Sequence, residues 1–148
     1  MALAERSASV VWQGDMRVGQ GTVDAGSGAF TGLPISFMER LEPETHSATP
    51  EEVMASAHAV CYARAVSNTL SANGSQPERL ELTAACEVDR TTDGLAIKRS
   101  RLDVRGIVPR LDAESFVVLA EKAEAKCLVS AAIRGNVEIE ITARLVTP

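Results

Sequence analysis

Apolar and polar positions alternate most regularly between residues 79 and 90. Such alternation is typical of a half-buried β-strand, because successive side chains point to opposite faces of a sheet. The pattern returns over residues 137–146. It also predicts a strand over 95–106, where its phase slips near Lys98 and Arg99 and so indicates a β-bulge. One face of the first strand carries Leu80, Leu82, Ala84, Cys86 and Val88.

The first third of the chain predicts shorter strands. Residues 8–13 and 17–24 read as a hairpin around a turn at Gly14 and Asp15. A third extended segment is expected over residues 35–41, and the polar residues 42–48 are expected to form a loop.

A long helix is predicted from Thr49 to Gly74. Thr49 is a good N-cap, Pro50 fits the first helical position, and Glu52 completes a capping box. Asn73 and Gly74 provide a left-handed stop. Much of the helix surface is alanine, serine, valine and methionine, so a large part of it should be buried against closely packed partners.

Asp112 begins a second predicted helix, which reaches Cys127 and continues to Arg134 before Gly135 ends it. The order is therefore three strands, a long helix, two strands, a second helix and a last strand. We predict an α+β fold with antiparallel sheet and the helices packed on one side, in a single domain over residues 1–148.

Composition narrows the classes of function. The 148 residues are 45% hydrophobic but only 3% aromatic, and the net charge of −5 comes without a basic cluster, so a nucleic-acid surface is not expected. Neither a signal peptide nor a run of apolar residues long enough for a membrane span is visible, which favours a soluble, cytoplasmic protein. Three widely spaced cysteines do not form a secreted disulfide framework or a CxxC site.

The three cysteines differ in their surroundings. Cys86 lies on the apolar face of a strand, where a cysteine behaves as a small hydrophobic residue. Cys61 lies in the long predicted helix and Cys127 in the second. Cys61 is either a buried thiol among alanines or a reactive thiol, and the reactive form needs a nearby cation to lower its pKa.

Arg40 and Glu51 are the candidates for that environment. Taken by itself, Arg40 is interpreted as part of a surface salt bridge, not as a residue of a reactive site. Glu51 and Cys61 are ten residues apart on one helix, roughly 15 Å along its axis and on different faces, so they cannot meet within one chain. If Glu51 serves Cys61, it does so from a second copy related by a two-fold axis.

His58 precedes Cys61 by three residues and shares its face of the helix. A Cys–His pair is conceivable, but no third member or oxyanion hole accompanies it. A zinc site from His58, Cys61 and Cys127 lacks a fourth ligand at recognised spacing. A histidine packed between helices is the favoured interpretation.

The sequence resembles the OsmC/Ohr family of osmotically inducible and organic hydroperoxide resistance proteins, on its OsmC branch. The resemblance runs in order along essentially the whole chain. It rests on Trp12-Gln13-Gly14-Asp15, Phe37-Met38-Glu39-Arg40, Thr49-Pro50-Glu51-Glu52, Ala57-His58-Ala59-Val60-Cys61 and Cys127-Leu128-Val129-Ser130.

The resemblance implies a thiol peroxidase without metal or other cofactor, built as an intertwined homodimer with its sites at the subunit interface. It makes Cys61 the peroxidatic residue and Cys127 the resolving one, with Arg40 and Glu51 orienting the thiolate. An organic hydroperoxide is the expected substrate, favoured over hydrogen peroxide by apolar neighbours, and an external dithiol, of lipoyl type in this family, is the expected reductant. Those neighbours are Phe37, Met38, Met54 and Leu128.

One position departs from the family pattern. Leu128 stands where the family usually has proline, so the second helix is expected to run on through Cys127 and to give its thiol less help from a helix dipole. The main rival hypothesis is a non-catalytic domain of the same fold that senses redox state or binds a small hydrophobic ligand. A zinc protein is the third.

Overall fold

Residues 1–36, Arg40 and residues 46–147 are described by the computed structural model. The chain forms two compact units, Met1–Val53 and Met54–Pro148, called here the N-terminal and C-terminal units. The single domain over residues 1–148 stays a prediction. Among the described helices, none has an apolar stretch long enough to cross a membrane.

The N-terminal unit contains an antiparallel sheet of three strands in the order β1-β2-β3. The strands are β1 (Ala8–Gln13), β2 (Gln20–Ala25) and β3 (Leu33–Ser36). The predicted hairpin is confirmed, but β2 starts later than expected. The reason is that the Asp15 carboxylate accepts hydrogen bonds from the backbone N–H groups of Arg17 and Val18, which keeps these residues in the turn. Residues 37–39 and 41, which end the third predicted strand, lie outside the described residues.

The long helix α1 spans Pro50–Ala72. The predicted capping box is confirmed: Thr49 Oγ1 accepts from the N–H of Glu52 at 3.2 Å, and Glu52 Oε2 accepts from the N–H of Thr49 at 2.8 Å. The predicted stop is confirmed too, because Gly74 has a φ of 79°, which favours glycine, and Ser75 N–H bonds back to Leu70 O. Local sequence thus fixes both ends of α1.

The C-terminal unit contains a second sheet in the order β4-β5-β6. Its strands are β4 (Arg79–Thr91), β5 (Gly94–Ile107) and β6 (Glu138–Leu145). The bulge is confirmed, since Glu87 pairs with Arg99 and Val88 with Ile97, leaving Lys98 as the extra residue. The prediction of purely antiparallel sheet is wrong at β6, which runs parallel to β5. Two helices connect these strands, and such a crossover returns the chain in the same direction.

The crossover contains α2 (Ala113–Glu124) and α3 (Leu128–Ile133). Asp112 caps α2 as predicted, accepting from the N–H of Ser115 at 2.8 Å. The predicted continuous helix through Cys127 is wrong, because the chain turns between the two helices. The aliphatic core of the unit combines α1, α2 and β5; its buried members are Tyr62, Ala65, Val66, Leu70, Leu102, Val104, Val108, Phe116, Ala120, Ala123 and Cys127.

Gly106 on β5 lies against the ring of Phe116 on α2. A Cβ added there would lie 2.6 Å from Cε2 and Cζ of the Phe116 ring, and both residues are buried. We expect Gly106→Ala to lower the free energy of unfolding by about 1–3 kcal/mol, because a buried ring has little room to move. Urea unfolding, with a constant m-value, measures this change.

A smaller side chain at position 116 tests whether a steric clash causes the loss of stability. In a Phe116→Leu background the added methyl group meets a smaller side chain, so Gly106→Ala should cost less there than in the wild type. An equal cost in both backgrounds would contradict a steric clash with Phe116.

Candidate active site

Cys61 and Cys127 contact each other in the C-terminal unit. Cys61 lies within α1 and is half-buried, whereas Cys127 is fully buried. Both are thiols, and the Cys127 S–H donates a hydrogen bond to the Cys61 sulfur. Two sulfur atoms within hydrogen-bonding reach are neighbours of the kind that a disulfide joins.

Cys127 is held by the turn between α2 and α3. It is the N-cap of α3, with extended backbone angles (φ −80°, ψ 116°), and its sulfur accepts from the N–H of Ser130 at 3.5 Å. The turn is closed by hydrogen bonds from Lys126 N–H to Ala123 O and from Cys127 N–H to Glu124 O, each 3.0 Å. The expected effect of Leu128 is therefore wrong: the helix is interrupted at Cys127 without a proline.

The pKa of the Cys61 thiol is lowered. Burial by itself raises this pKa, but four groups that stabilise the thiolate outweigh burial. In order of effect they are the N–H of Val129, the thiol of Cys127, the N–H of Leu128 and the positive charge of Arg64. Because the thiolate is the nucleophilic form of cysteine, the lowered pKa favours Cys61 as the candidate nucleophile.

The pKa of the Cys127 thiol is raised instead. Burial is the largest cause, and the neighbouring Cys61 adds to it, while hydrogen bonds from the side chain and backbone N–H of Ser130 oppose the shift. Cys127 therefore keeps its proton and donates it to the Cys61 thiolate. The two sulfurs share one proton and have distinct roles.

His58 lies beside this pair, fully buried on α1. Its Nε2 is 2.9 Å from Ser130 Oγ and its Nδ1 is 2.7 Å from Ser100 Oγ on β5. The favoured interpretation of a histidine packed between structural elements is confirmed, but the packing is polar: both ring nitrogens are engaged by hydroxyl groups.

Cys61 opens onto a cleft of about 760 Å³ in the C-terminal unit. Leu80 and Leu128 provide apolar surface there, and Arg64 and Lys126 provide positive charge. The Leu128 side chain is 79% exposed, so the prediction that it touches substrate is compatible with its place. Met54 is half-buried on α1. Phe37 and Met38 lie outside the described residues, and their role stays a prediction.

Arg40 and Glu51 meet in the N-terminal unit. Arg40 Nε lies 3.0 Å from Oε1 and 3.1 Å from Oε2 of Glu51, and both side chains are largely buried. A small apolar pocket of about 250 Å³ adjoins this ion pair, lined by Trp12, Met16, Ile35, Ser36, Arg40 and Pro50. The two residues predicted to act together are thus brought together within one chain.

Within residues 1–36, Arg40 and 46–147, no group of three histidine, cysteine, aspartate or glutamate side chains converges to hold a metal. Both ring nitrogens of His58 already bond to serine hydroxyls, so its lone pair is engaged whichever nitrogen carries the proton. The zinc site considered above from His58, Cys61 and Cys127 would have to break one of these bonds. Cys86 is half-buried on β4, in keeping with a structural role.

Three residues at this site were not predicted from the sequence. Arg64 lies three residues after Cys61, a spacing that places both on one side of the helix and could have identified it. Ser130 lies three residues after Cys127, as the third residue of a capped helix. Ser100 could not have been found, because only the folding of β5 against α1 brings it to His58.

Comparisons with known proteins agree with this fold. A family model described as OsmC-like protein matches residues 43–142. Peroxiredoxin OsmC of Escherichia coli (strain K12) is 34% identical over 129 residues, covering 87% of this chain and 90% of that protein. The uncharacterized protein YmaD of Bacillus subtilis (strain 168) is 27% identical over 137 residues, covering 89% and 88%.

Solved structures share the architecture. An organic hydroperoxide resistance protein from Elizabethkingia anophelis matches with a TM-score of 0.77 at 20% identity, over 98% of this chain and 100% of that one. The organic hydroperoxide resistance protein OhrB of Bacillus subtilis matches with a TM-score of 0.74 at 21% identity, over 93% and 98%. The predicted OsmC/Ohr fold is confirmed.

The Arg64 charge predicts a measurable effect on Cys61. We expect Arg64→Gln to slow alkylation of Cys61 by iodoacetamide at neutral pH by about twofold, because an exposed charge stabilises the thiolate only modestly. Peptide mass spectrometry reports the rate at Cys61 separately from the other cysteines. High salt should shrink the difference, since the charge is screened.

Arg144→Gln is the matched control, since it removes the same charge from β6. It should leave the rate at Cys61 unchanged. Equal rates for wild type and Arg64→Gln at low salt would contradict a contribution of Arg64 to the thiolate.

Proposed function

Because this chain belongs to the OsmC-like protein family, we propose that it is a cysteine-based peroxidase that reduces organic hydroperoxides, and hydrogen peroxide more weakly. The observation that carries the proposal is the direct contact between a thiol of lowered pKa, Cys61, and a thiol that keeps its proton, Cys127. A related protein is named a peroxiredoxin, and two solved structures of this fold are named organic hydroperoxide resistance proteins.

In the first step the Cys61 thiolate attacks the terminal oxygen of the hydroperoxide. The new S–O bond forms as the O–O bond breaks, and the alkoxide leaves with the bonding electrons and takes a proton to become an alcohol. Cys61 is oxidised by two electrons to a sulfenic acid. The Arg40 guanidinium, oriented by Glu51, stabilises the negative charge that develops on the departing oxygen.

In the second step Cys127 attacks the sulfenic sulfur of Cys61. A disulfide forms, hydroxide leaves, and Cys61 is protected from further oxidation. An external dithiol then reduces the disulfide by thiol–disulfide exchange, and a lipoyl group is the reductant we propose. Neither step requires a metal or an organic cofactor. A reducing compartment such as the cytoplasm fits this chemistry.

The surface around Cys61 supports an organic substrate. The cleft carries the apolar side chains of Leu80 and Leu128 beside the thiol. An alkyl group that covers them gains free energy from burial, whereas hydrogen peroxide gains none. Phe37, Met38 and Met54 are proposed to extend this apolar surface.

We propose a homodimer in which the Arg40–Glu51 pair of one copy serves Cys61 of the other. Glu51 and Cys61 lie ten residues apart on α1, and Arg40 is bonded to Glu51 in its own chain. Exposed apolar side chains support association of two copies. Val60 is 64% exposed beside Cys61, and β1 exposes Val10, Val11 and Trp12.

Cys61→Ser is expected to abolish the steady-state reduction of cumene hydroperoxide by a dithiol, because the nucleophile is lost. Cys127→Ser should retain one turnover, yielding a sulfenic acid on Cys61, but should not form the intrachain disulfide. Loss of hydroperoxide and intact-protein mass after one equivalent of hydroperoxide measure both effects.

Cys86→Ser is the matched control, since it removes the third thiol and should behave as wild type. Wild type without turnover, or turnover that survives in Cys61→Ser, would favour the rival hypothesis of a non-catalytic redox sensor or hydrophobic-ligand carrier. Equal rates with cumene hydroperoxide and hydrogen peroxide would contradict the organic preference.

The shared site can be tested by mixing two inactive variants. Arg40→Ala should slow the reaction by about 10²-fold through loss of charge stabilisation, and Cys61→Ser should be inactive. In a mixed dimer one site would combine Arg40 of one copy with Cys61 of the other, so about half of the wild-type activity should return, as one of two equivalent sites is restored. Two different affinity tags allow the mixed dimer to be purified.

The negative control is a mixed dimer in which both copies carry Cys61→Ser and one copy also carries Cys127→Ser. Neither copy then provides the nucleophile. Absence of activity in the Arg40→Ala/Cys61→Ser mixed dimer would show that Arg40 acts within its own chain. A monomer in sedimentation analysis would contradict the dimer itself.

A further inference from the structure

A line of hydrogen bonds leads from Cys127 into the core of the C-terminal unit. Ser130 bonds to Cys127, Ser130 Oγ lies 2.9 Å from His58 Nε2, and His58 Nδ1 lies 2.7 Å from Ser100 Oγ. All four residues are fully buried, in or beside the hydrophobic core of the unit. Burying the three polar side chains of His58, Ser100 and Ser130 is costly unless each is satisfied, and apolar side chains would fill the same space without that cost.

The partners of His58 allow it to gain and lose a proton in place. A serine hydroxyl can donate or accept, and it changes role by rotating its hydrogen. The neutral ring can therefore accept at Nε2 while donating at Nδ1, and the charged ring can donate to both serines. A backbone carbonyl as partner would instead have fixed one nitrogen as a donor.

Cys127 needs such a proton acceptor at one moment of the reaction. While Cys61 is a thiolate, the Cys127 proton stabilises it. Once Cys61 is a sulfenic acid, Cys127 must attack as a thiolate, yet its burial opposes ionisation. The protonated Cys127 thiol, which stabilises the Cys61 thiolate, would then slow the attack of Cys127 on the sulfenic acid.

We propose that Ser130 and His58 carry the proton away from Cys127 when Cys127 attacks the Cys61 sulfenic acid. This inference rests on the proposed peroxidase function. Ser130 contacts the reacting sulfur, and His58 acts through Ser130 as a positioning residue and proton store. Ser100 holds the far side of the ring.

The step balances as follows. With Cys61 as a sulfenic acid, the Cys127 S–H rotates from Cys61 toward Ser130 Oγ, and the Ser130 O–H rotates from Cys127 toward His58 Nε2. The Cys127 proton then moves to Ser130 Oγ as the Ser130 O–H proton moves to His58 Nε2. The thiolate forms the S–S bond to Cys61, the S–O bond breaks, and hydroxide leaves into the solvent, where the buffer neutralises it. When an external dithiol later reduces the disulfide, Cys127 recovers its proton from His58 through Ser130.

The charges around His58 suit a transient base. Burial lowers the pKa of His58, and the negative charge of Glu124 on α2 opposes that shift. Glu124 is itself paired with Arg134 at 2.6 Å. Ser100 on β5 and Ser130 on α3 face the ring without charge, and Cys127 lies beyond Ser130. His58 is thus neutral at neutral pH and able to accept a proton.

The test is a single-turnover experiment on the full chain across a range of pH. Reduced protein receives one equivalent of cumene hydroperoxide, and quenched samples are analysed by mass for the Cys61 sulfenic acid, trapped with dimedone, and for the disulfide. In wild type we expect the rate of disulfide formation to level off above the pKa of His58, which lies below the ordinary value of about 6.5.

His58→Gln keeps a polar group that can bond to Ser130 but cannot take up a proton. We expect disulfide formation in this variant to be about 10²-fold slower at neutral pH, the usual contribution of a general base. Its rate should keep rising with pH past the ordinary thiol pKa of about 8.5, because Cys127 must then ionise unaided. The sulfenic acid should accumulate.

His46→Gln is the matched control, since it makes the same change at an exposed histidine. Ser130→Ala should reproduce the slow rate and altered pH profile, and Ser130→Thr, which keeps the hydroxyl, should restore both. Thermal unfolding identifies any variant that fails to fold. If His58→Gln does not fold, the comparison of Ser130→Ala with Ser130→Thr decides.

Wild-type rates and an unchanged pH profile in folded His58→Gln, or in folded Ser130→Ala, would overturn the relay. Failure of the proposed function is distinguishable, because wild type would then consume no hydroperoxide and form no sulfenic acid. A slow variant whose pH profile matches that of wild type would also overturn the relay, since a structural defect alone gives this result.

Discussion

The hydrogen bond between Cys127 and Cys61 is the interaction on which the site depends. It exists because the chain turns between α2 and α3 and uses the Cys127 sulfur as the N-cap of α3. The same turn directs the N–H groups of Leu128 and Val129 toward Cys61. One local interruption of a helix therefore positions the Cys127 thiol and stabilises the thiolate form of Cys61. A continuous helix would have satisfied those N–H groups internally.

A shared proton gives the two thiols opposite properties. Groups that favour a thiolate at Cys61 leave Cys127 protonated, because two adjacent anions in a buried site would repel each other. In the proposed reaction, the attack of the Cys61 thiolate on the hydroperoxide benefits from this difference. The later attack of Cys127 on the sulfenic acid does not. Ser130, His58 and Ser100 are all fully buried, so the proposed relay offers the Cys127 proton an acceptor inside the protein. Buried polar groups in an aliphatic core are therefore expected to have a chemical purpose.

Local signals predicted much of this fold. Thr49, Glu52 and Gly74 bound α1 and Asp112 begins α2, because these caps depend on hydrogen bonds within a few residues. The phase slip near Lys98 marks a real bulge, because an extra residue in one strand shifts the alternation itself. The parallel pairing of β6 could not be predicted from alternation, which is the same in either direction. The turn at Cys127 was missed because cysteine is not a preferred N-cap and no proline follows it. The contact of Ser100 with His58 could be predicted only from the tertiary fold, because the two residues are far apart in the sequence.

The position of Arg40 is explained by its partner. A largely buried guanidinium is stable only if its charge is compensated, and Glu51 provides this at 3.0 Å within the same chain. Glu51 is itself favoured at the start of α1, where the helix dipole stabilises a carboxylate. The pair is thus complete before any thiolate approaches it. The spacing of ten residues along α1 prevents Glu51 from reaching Cys61 of its own chain. Association of two copies is the step that the proposed chemistry requires.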